Sequence, residues 1–310
     1  MNTEPKTLLT APGAPEDMNG AVGAKSRQTD NSTTTVYRAP KAGGDPRRQL
    51  RMRRRRSAVL SVSVPILLLA GWQLAATWGL IDVRFFPPPS AIFAKFLDLL
   101  SSGVLLTEVV ATARRVAIGL PLGAAVGITV GLVCGSNQML RAGITPIVTA
   151  LYSVPKIAIY PLLLMILGFG EKPKIALVVI ATGLIMTIGT MGAVASVPKE
   201  LIEAGRAFRA SRVRMFWEVI IPASLPQILV SLRIGTGMSI LAVIATEFVE
   251  AEAGVGHLIW NSWVLFQPEQ MYVGIAAAAL LGVLFTALIS KIGALLTPWD
   301  RSSHETRSYF

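Results

Sequence analysis

The sequence predicts an all-α membrane protein with six transmembrane helices, and three observations carry that prediction. Of its 310 residues 52% are apolar and 15% charged, with a mean hydropathy of +0.56, whereas an average soluble domain has about 25% charged residues. Four runs of 21 to 25 residues contain no charge at all, and a bilayer core of about 30 Å takes about 20 apolar residues as a helix. The charge is also lopsided: the chain carries +11, of which +7 lies in residues 1–56. A basic tail on an apolar body is the pattern of a membrane protein with a cytoplasmic N-terminus, not of a nucleic-acid binder. One cysteine, Cys134, excludes an intrachain disulfide, and two histidines cannot complete a Cys/His metal cluster. No metal site is expected.

Residues 1–56 are rich in Pro, Gly, Ser, Thr and Asn with few large apolar residues, so disorder is expected there, with electrostatic contact to anionic lipid headgroups. Arg53–Arg56 resembles a twin-arginine export signal. The run that follows is too long and contains Trp72 and Trp78, which favours an uncleaved first span. The uncharged runs are 57–80, 116–140, 175–198 and 270–290. Two further spans are expected over 142–170 and 219–246, interrupted only by Lys156 and Arg233 respectively. The plan is therefore a tail over 1–56, a transmembrane domain over 57–298 and a short cytoplasmic tail over 299–310. Strands of a membrane barrel would alternate every second residue instead.

Orientation follows from the cations. With the N-terminus inside, the cytoplasmic segments hold 21 Lys and Arg and the outer ones 4. Both termini are then cytoplasmic, in a multi-pass protein of a bacterial inner membrane.

The second span has a regularity of its own. Gly119, Gly123, Gly127, Gly131 and Gly135 recur every four residues and form one strip along a helix. Such a strip lets another backbone approach closely. It serves either packing within the chain or a subunit interface.

The segment 197–222 between spans four and five is too polar to span and too patterned to be a slack connection. Pro198 suits a helix start, with Glu200 and Glu203 toward its positive end. Leu201, Ala204 and Phe208 then fall near one face. Ser211 can cap a second short helix whose apolar stripe is Val213, Phe216, Trp217 and Ile220. Pro222 and Pro226 are expected to break the backbone where the fifth span begins.

Glu203-Ala204-Gly205, three residues, Arg209, nine residues and Val219-x-Ile221-Pro222 resemble the Glu-Ala-Ala-x3-Gly-x9-Ile-x-Leu-Pro loop of ABC-importer permeases. Shorter stretches are similar to the nitrate/sulfonate/taurine-type branch of that family. They are Trp72-Gln73-Leu74, Phe86-Pro-Pro-Pro-Ser90, Pro161-Leu162-Leu163, Gly168-Phe-Gly-Glu171, Ala245-Thr-Glu247 and Gly254-Val-Gly-His-Leu-Ile-Trp260. The resemblance implies a type I ABC-importer permease fold, two permease copies with a pathway between them, two cytoplasmic ATPase subunits and an extracytoplasmic solute-binding protein. It also implies alternating access for a sulfonate, taurine, nitrate or vitamin-precursor type of solute. By the same resemblance Glu203, Ala204 and Arg206 belong to a first coupling helix that docks on the ATPase, and Ser211 and Pro222 bound a second. An amphipathic helix lying on the lipid surface is the alternative for this loop.

Two positions depart from the family pattern. Gly205 replaces an alanine, at about 1 kcal/mol of helix propensity. Arg209 replaces a glycine at a left-handed turn, where a non-glycine residue costs roughly 1–2 kcal/mol. Either the turn is reshaped or Arg209 faces an acidic partner.

No Gly-x4-Gly-Lys-Ser/Thr occurs, so ATP would be bound by a partner chain and no cofactor is expected on this one. No hydrolase constellation occurs either, and no catalytic residue is expected. Intramembrane ionisable groups are the remaining candidates. Lys156 sits between Pro155 and Pro161, in a stretch expected to be irregular, with Tyr152 and Tyr160 nearby; it can attract an anion, reach toward the cytoplasmic face or pair with a carboxylate. Arg233 either lines the pathway or extends to the inner face. Glu247 either lines the pathway or pairs with a neighbour. The rival readings are an ion-gradient secondary transporter, which would carry internal repeats with broken helices, and a membrane scaffold without transport activity.

Overall fold

A computed structural model describes residues 46–299, and the expected disorder of 1–45 and the tail over 300–310 lie outside the described residues. Of the unit Met1–Val59 the described part is the start of one helix. All regular structure among the described residues is helical.

Helix α1 runs Pro46–Thr77, so residues 46–56, expected within the tail, are helical, and the apolar part long enough to span is Val59–Thr77. Two short helices not expected from the sequence, α2 (Pro89–Ser101) and α10 (Val255–Val264), sit in the connections between spans. Gln73 near the end of α1 accepts from the Ser90 N–H (3.0 Å) and donates to its hydroxyl (3.1 Å). That satisfies one of the first-turn N–H groups of α2, which have no partner within the helix.

Helix α3 (Val104–Ser136) starts well before and ends slightly before the expected 116–140, because the Asn137 side chain caps the next helix. The expected third span over 142–170 is not one helix. It divides into α4 (Gln138–Ser153), a 3₁₀ turn (Lys156–Ile159) and α5 (Tyr160–Leu167), with a bend of 88°. Pro155 causes the break, since it has no N–H to donate and excludes helical backbone at Val154. Then follow α6 (Glu171–Ala195), α7 (Lys199–Ala207), α8 (Arg212–Met215), α9 (Ile221–Val249) and α11 (Pro268–Leu296). Among the described residues five helical stretches are long and apolar enough to cross a membrane, and six spans result if α4 and α5 count as one.

Pro222 and Pro226 do not break the backbone as expected. Both lie within α9, and a π-helical turn over Phe216–Ile220 joins it to α8. Pro222 has no N–H for the Glu218 carbonyl and its ring crowds that group, which the wider turn just before it accommodates.

The centre of the molecule is α3, α6 and α9. The glycine strip of α3 faces α6 within the same chain. A methyl built on Gly119 would lie 2.6 Å from Val178 Cγ1, on Gly127 2.5 Å from the Gly183 carbonyl oxygen and on Gly131 2.5 Å from Thr190 Cβ. No side chain fits in that seam, and α3 and α6 approach backbone to backbone. Val116, Leu120, Val178, Ile240 and Val243 fill the space among the three helices, and Ala124, Met186, Ala193 and Ile228 continue it. At the end where α3 begins, Leu99, Leu105, Leu258 and Val273 tie α2, α3, α10 and α11 together. By contrast Leu67 and Leu68 on α1 and Val283 and Leu284 on α11 are exposed, as lipid-facing residues must be.

Candidate functional site

Two places gather the residues of interest, at opposite ends of the α6 and α9 helices. The first is the segment between them. Pro198 precedes α7, and Glu203, Ala204 and Arg206 lie exposed along that helix. The helix closes with two hydrogen bonds: Ala210 N–H to the Gly205 carbonyl (3.0 Å) and Arg209 N–H to the Arg206 carbonyl (2.9 Å). This pair is the Schellman closure, which puts its C′ residue in the left-handed region. That residue is Arg209, at φ 56°. The backbone turn is thus the one a glycine would make, built here with an arginine.

Ser211 caps α8 by accepting from the Arg214 N–H at 3.3 Å. Gly205 sits against Met215, where an added methyl would lie 2.7 Å from the Met215 Cε. The glycine therefore lets α7 fold down on the start of the second helix. Large apolar side chains remain outside: Phe208 is 87% exposed, Val213 69% and Trp217 64%. Phe216 packs edge-on against Trp217 at 5.7 Å. Arg206, Arg209, Arg212 and Arg214 are exposed on the same segment, as are Glu200, Glu203 and Glu218, the last of them 3.6 Å from Arg214. Exposed large apolar side chains among charged ones mark an interaction face. Pro222 lies behind this face, in the first turn of α9.

The second place is a buried charge cluster. Arg115, only 3% exposed, directs its guanidinium at two carboxylates. Nε and Nη2 grip Glu171 at 2.9 and 2.6 Å, while Nη1 reaches Glu247 at 2.5 Å and the Ala253 carbonyl at 2.7 Å. Arg114 adds a contact to Glu171 at 3.2 Å. Glu247 also accepts from the Thr112 hydroxyl (2.8 Å) and the Gly256 N–H (2.8 Å), and Thr112 accepts from Val255 N–H (2.8 Å). Glu108 accepts from the Gly254 N–H and meets His257 Nδ1 at 3.3 Å. Beside them Lys174 pairs with Glu250 at 2.8 Å, and the Tyr160 hydroxyl donates to the same carboxylate at 3.3 Å.

The cluster joins α3, α5, α6, α9 and α10. Gly254 and Gly256 wrap the Glu247 carboxylate so closely that methyls on them would lie 2.3 Å from its carboxyl carbon and 2.7 Å from its Cβ. Arg114, Arg115 and Lys174 each meet a carboxylate, which is the condition for a buried ion pair to be tolerable. The cluster contains no nucleophile aimed at open space, and its arrangement clamps helix ends.

Of the pathway candidates, Tyr160 is fully buried and Glu247 is 1% exposed, and both hydrogen-bond within this cluster; for Glu247 this is the pairing with neighbours that was one of its two readings. Lys156 is separate from it: its ammonium donates to the Tyr152 carbonyl and lies 4.2 Å from the centre of the Tyr152 ring. Arg233 is half-buried in α9, with its Nε shielded and without a hydrogen-bond partner among the described residues. The cluster residues missed from the sequence are Glu108, Thr112, Arg115, Lys174 and Glu250. The one legible sign was that Gly-Phe-Gly-Glu171, Ala-Thr-Glu247 and Gly254-Val-Gly-His are separate short matches: the first two meet at Arg115, and the third closes on Glu247 through the Gly256 N–H.

Residues 127–300 match the family described as "Binding-protein-dependent transport system inner membrane component". The chain is 30% identical to the taurine transport system permease protein of Escherichia coli (strain K12), over 79% of this chain and 90% of that one. It is 30% identical to the bicarbonate transport system permease protein of Synechocystis, over 86% and 99%. In structure it is similar to a chain of the methionine ABC transporter MetNI in an inward-facing conformation. The TM-score is 0.56 at 20% identity, covering 64% of this chain and 98% of the other.

Proposed function

Because this chain belongs to the family of inner-membrane components of binding-protein-dependent transport systems, and is an ABC-importer permease, we propose that its 197–222 segment transmits the work of a separate ATP-hydrolysing subunit to the membrane helices. The observation that carries this is the exposure of Phe208, Val213 and Trp217 on a segment that also exposes four arginines. Such a face, rigidly capped at Ser211 and closed at Arg209, fits a groove with acidic walls. Movement of that groove would pass through the π turn into α9 and through α7 into α6, as rigid-body displacement. Glu203, Ala204, Gly205 and Arg206 would form the first docking helix. ATP would be bound and hydrolysed by the partner, since this sequence has no phosphate-binding loop.

In the same reading the loop end is cytoplasmic, as are both termini, following the distribution of Lys and Arg. Two copies of the chain would enclose the pathway, and a solute-binding protein would deliver solute at the end where the charge cluster lies. Relatives are named for taurine and for bicarbonate, both of which bear an anionic group, and a small anion is the solute class proposed here. Lys156 and Arg233, the two candidates outside the clamp, would stand along its route.

The test is capture of the tagged chain from mildly solubilised native membranes, with partners identified by mass spectrometry. A stoichiometric P-loop ATPase that is lost with Glu203→Arg, while the variant still inserts, is the expected result. Recovery without an ATPase, under conditions that keep a known importer intact, would favour a gradient-driven transporter.

A further inference from the structure

Helix α4 has two unlike faces, and both are exposed; Val148 is its one buried residue. At 100° per residue, Gln138, Arg141, Thr145, Thr149 and Ser153 form a single stripe, while Leu140, Ile147 and Leu151 lie on the opposite side. Along the polar side runs an open trough of about 740 Å³, lined from Gln138 to Ser153 by this helix alone. The apolar side suits acyl chains. The polar side does not, since polar groups in lipid require internal partners.

Two of the hydroxyls meet that requirement within the helix: Thr145 donates to the Arg141 carbonyl (2.6 Å) and Ser153 to the Thr149 carbonyl (3.0 Å). The side chains of Gln138, Arg141 and Thr149 have no partner among the described residues. Lys156, just beyond the stripe, has only the Tyr152 carbonyl and ring. The chain between residues 138 and 170 contains no Asp or Glu at all. The charge cluster at the far end of α3 leaves no such vacancy, since each of its cations has a carboxylate.

From this contrast we infer that the Gln138–Ser153 face of α4, with Arg141 and Lys156 as its two cations, is the wall of a water-filled route for small anions. The inference rests on the reading of the chain as a permease for a small anion and adds to it the helix and the face that select the solute. The unpartnered Thr149 hydroxyl and Gln138 amide can donate weak, exchangeable hydrogen bonds beside two positive stations, so an anion is attracted without being held. A conducting route requires sites that are favourable to enter and weak enough to leave.

The experiment uses inner-membrane vesicles holding the full chain with its co-purifying partners. Single cysteines are introduced at Thr149 and at Ile147, and label on the parent chain, whose Cys134 is 3% exposed, is subtracted. Two water-soluble methanethiosulfonates of similar size are compared, one carrying a sulfonate and the other a trimethylammonium group. Thr149→Cys is expected to react, about tenfold faster with the sulfonate reagent, and Ile147→Cys to stay unreactive. Adding Lys156→Gln and Arg141→Gln should bring the two rates together.

The inference is overturned if Ile147→Cys reacts as fast as Thr149→Cys, or if the preference survives both charge removals. Failure of Thr149→Cys to react while the ATPase still co-purifies overturns it too and leaves the permease reading standing. Absence of an ATPase from the parent chain overturns that reading itself. Co-purification of the ATPase with each variant shows that the substituted chain has folded.

Discussion

Arg209 occupies a backbone position that glycine would fill without steric conflict, at φ 56°. The left-handed conformation costs a non-glycine residue roughly 1–2 kcal/mol. Arg209→Gly should therefore raise the apparent unfolding temperature in detergent by about 2–4 °C, and an unchanged or lower value would mean that the arginine has an offsetting contact. Arg115 is the opposite case. Replacing it with methionine leaves Glu171 and Glu247 without their shared cation, a loss of about 3–5 kcal/mol for a broken buried pair. Little folded R115M should be recovered on size-exclusion chromatography. R115K should fall between, since lysine keeps the charge but cannot grip Glu171 with two parallel bonds. Full recovery of R115M would refute the clamp.

Among the helices, the α3–α6 seam should be the least tolerant of added volume. Gly127 would place a methyl 2.5 Å from backbone and side chain of α6, while Gly143 on α4 has nothing within 4 Å. Gly127→Val is expected to abolish the folded protein and Gly143→Val to leave its yield unchanged, as compared by fluorescence-detected chromatography. The loop helices should behave in a third way. Phe208 and Trp217 are 87% and 64% exposed, so their replacement by alanine should shift stability by no more than about 0.5 kcal/mol. The same double variant should lose most of its captured ATPase if the loop docks there, and normal capture would move the docking surface elsewhere.

How legible each element was depends on how local its cause is. The Ser211 cap and the amphipathic pattern of 197–222 depend on neighbours within a few residues, so the sequence shows them, whereas with Arg209 in the glycine's place it leaves open whether the left-handed turn is reshaped. The break at Val154-Pro155 is just as local, yet the apolar composition on both sides reads as one span. Composition measures the length of an apolar run and is blind to a bend within it. In the same way Pro222 and Pro226 read as a break, while the chain accommodates them with one π turn and continues.

At the scale of the molecule, chain length against bilayer thickness and the scarcity of charge were enough to determine a helical multi-span protein, because both are properties of composition alone. The four-residue glycine period likewise determined that some backbone must come close. Only the tertiary structure decided that this backbone is α6 of the same chain, since a strip of small residues specifies closeness and not identity. It alone also assembled Arg115, Glu171 and Glu247, which are 56 and 132 positions apart from Arg115 in the sequence. In a linear reading an arginine at a span edge is indistinguishable from one that reaches out to water. What separates the two is whether carboxylates from other helices arrive at the same point, and that depends on how the helices pack.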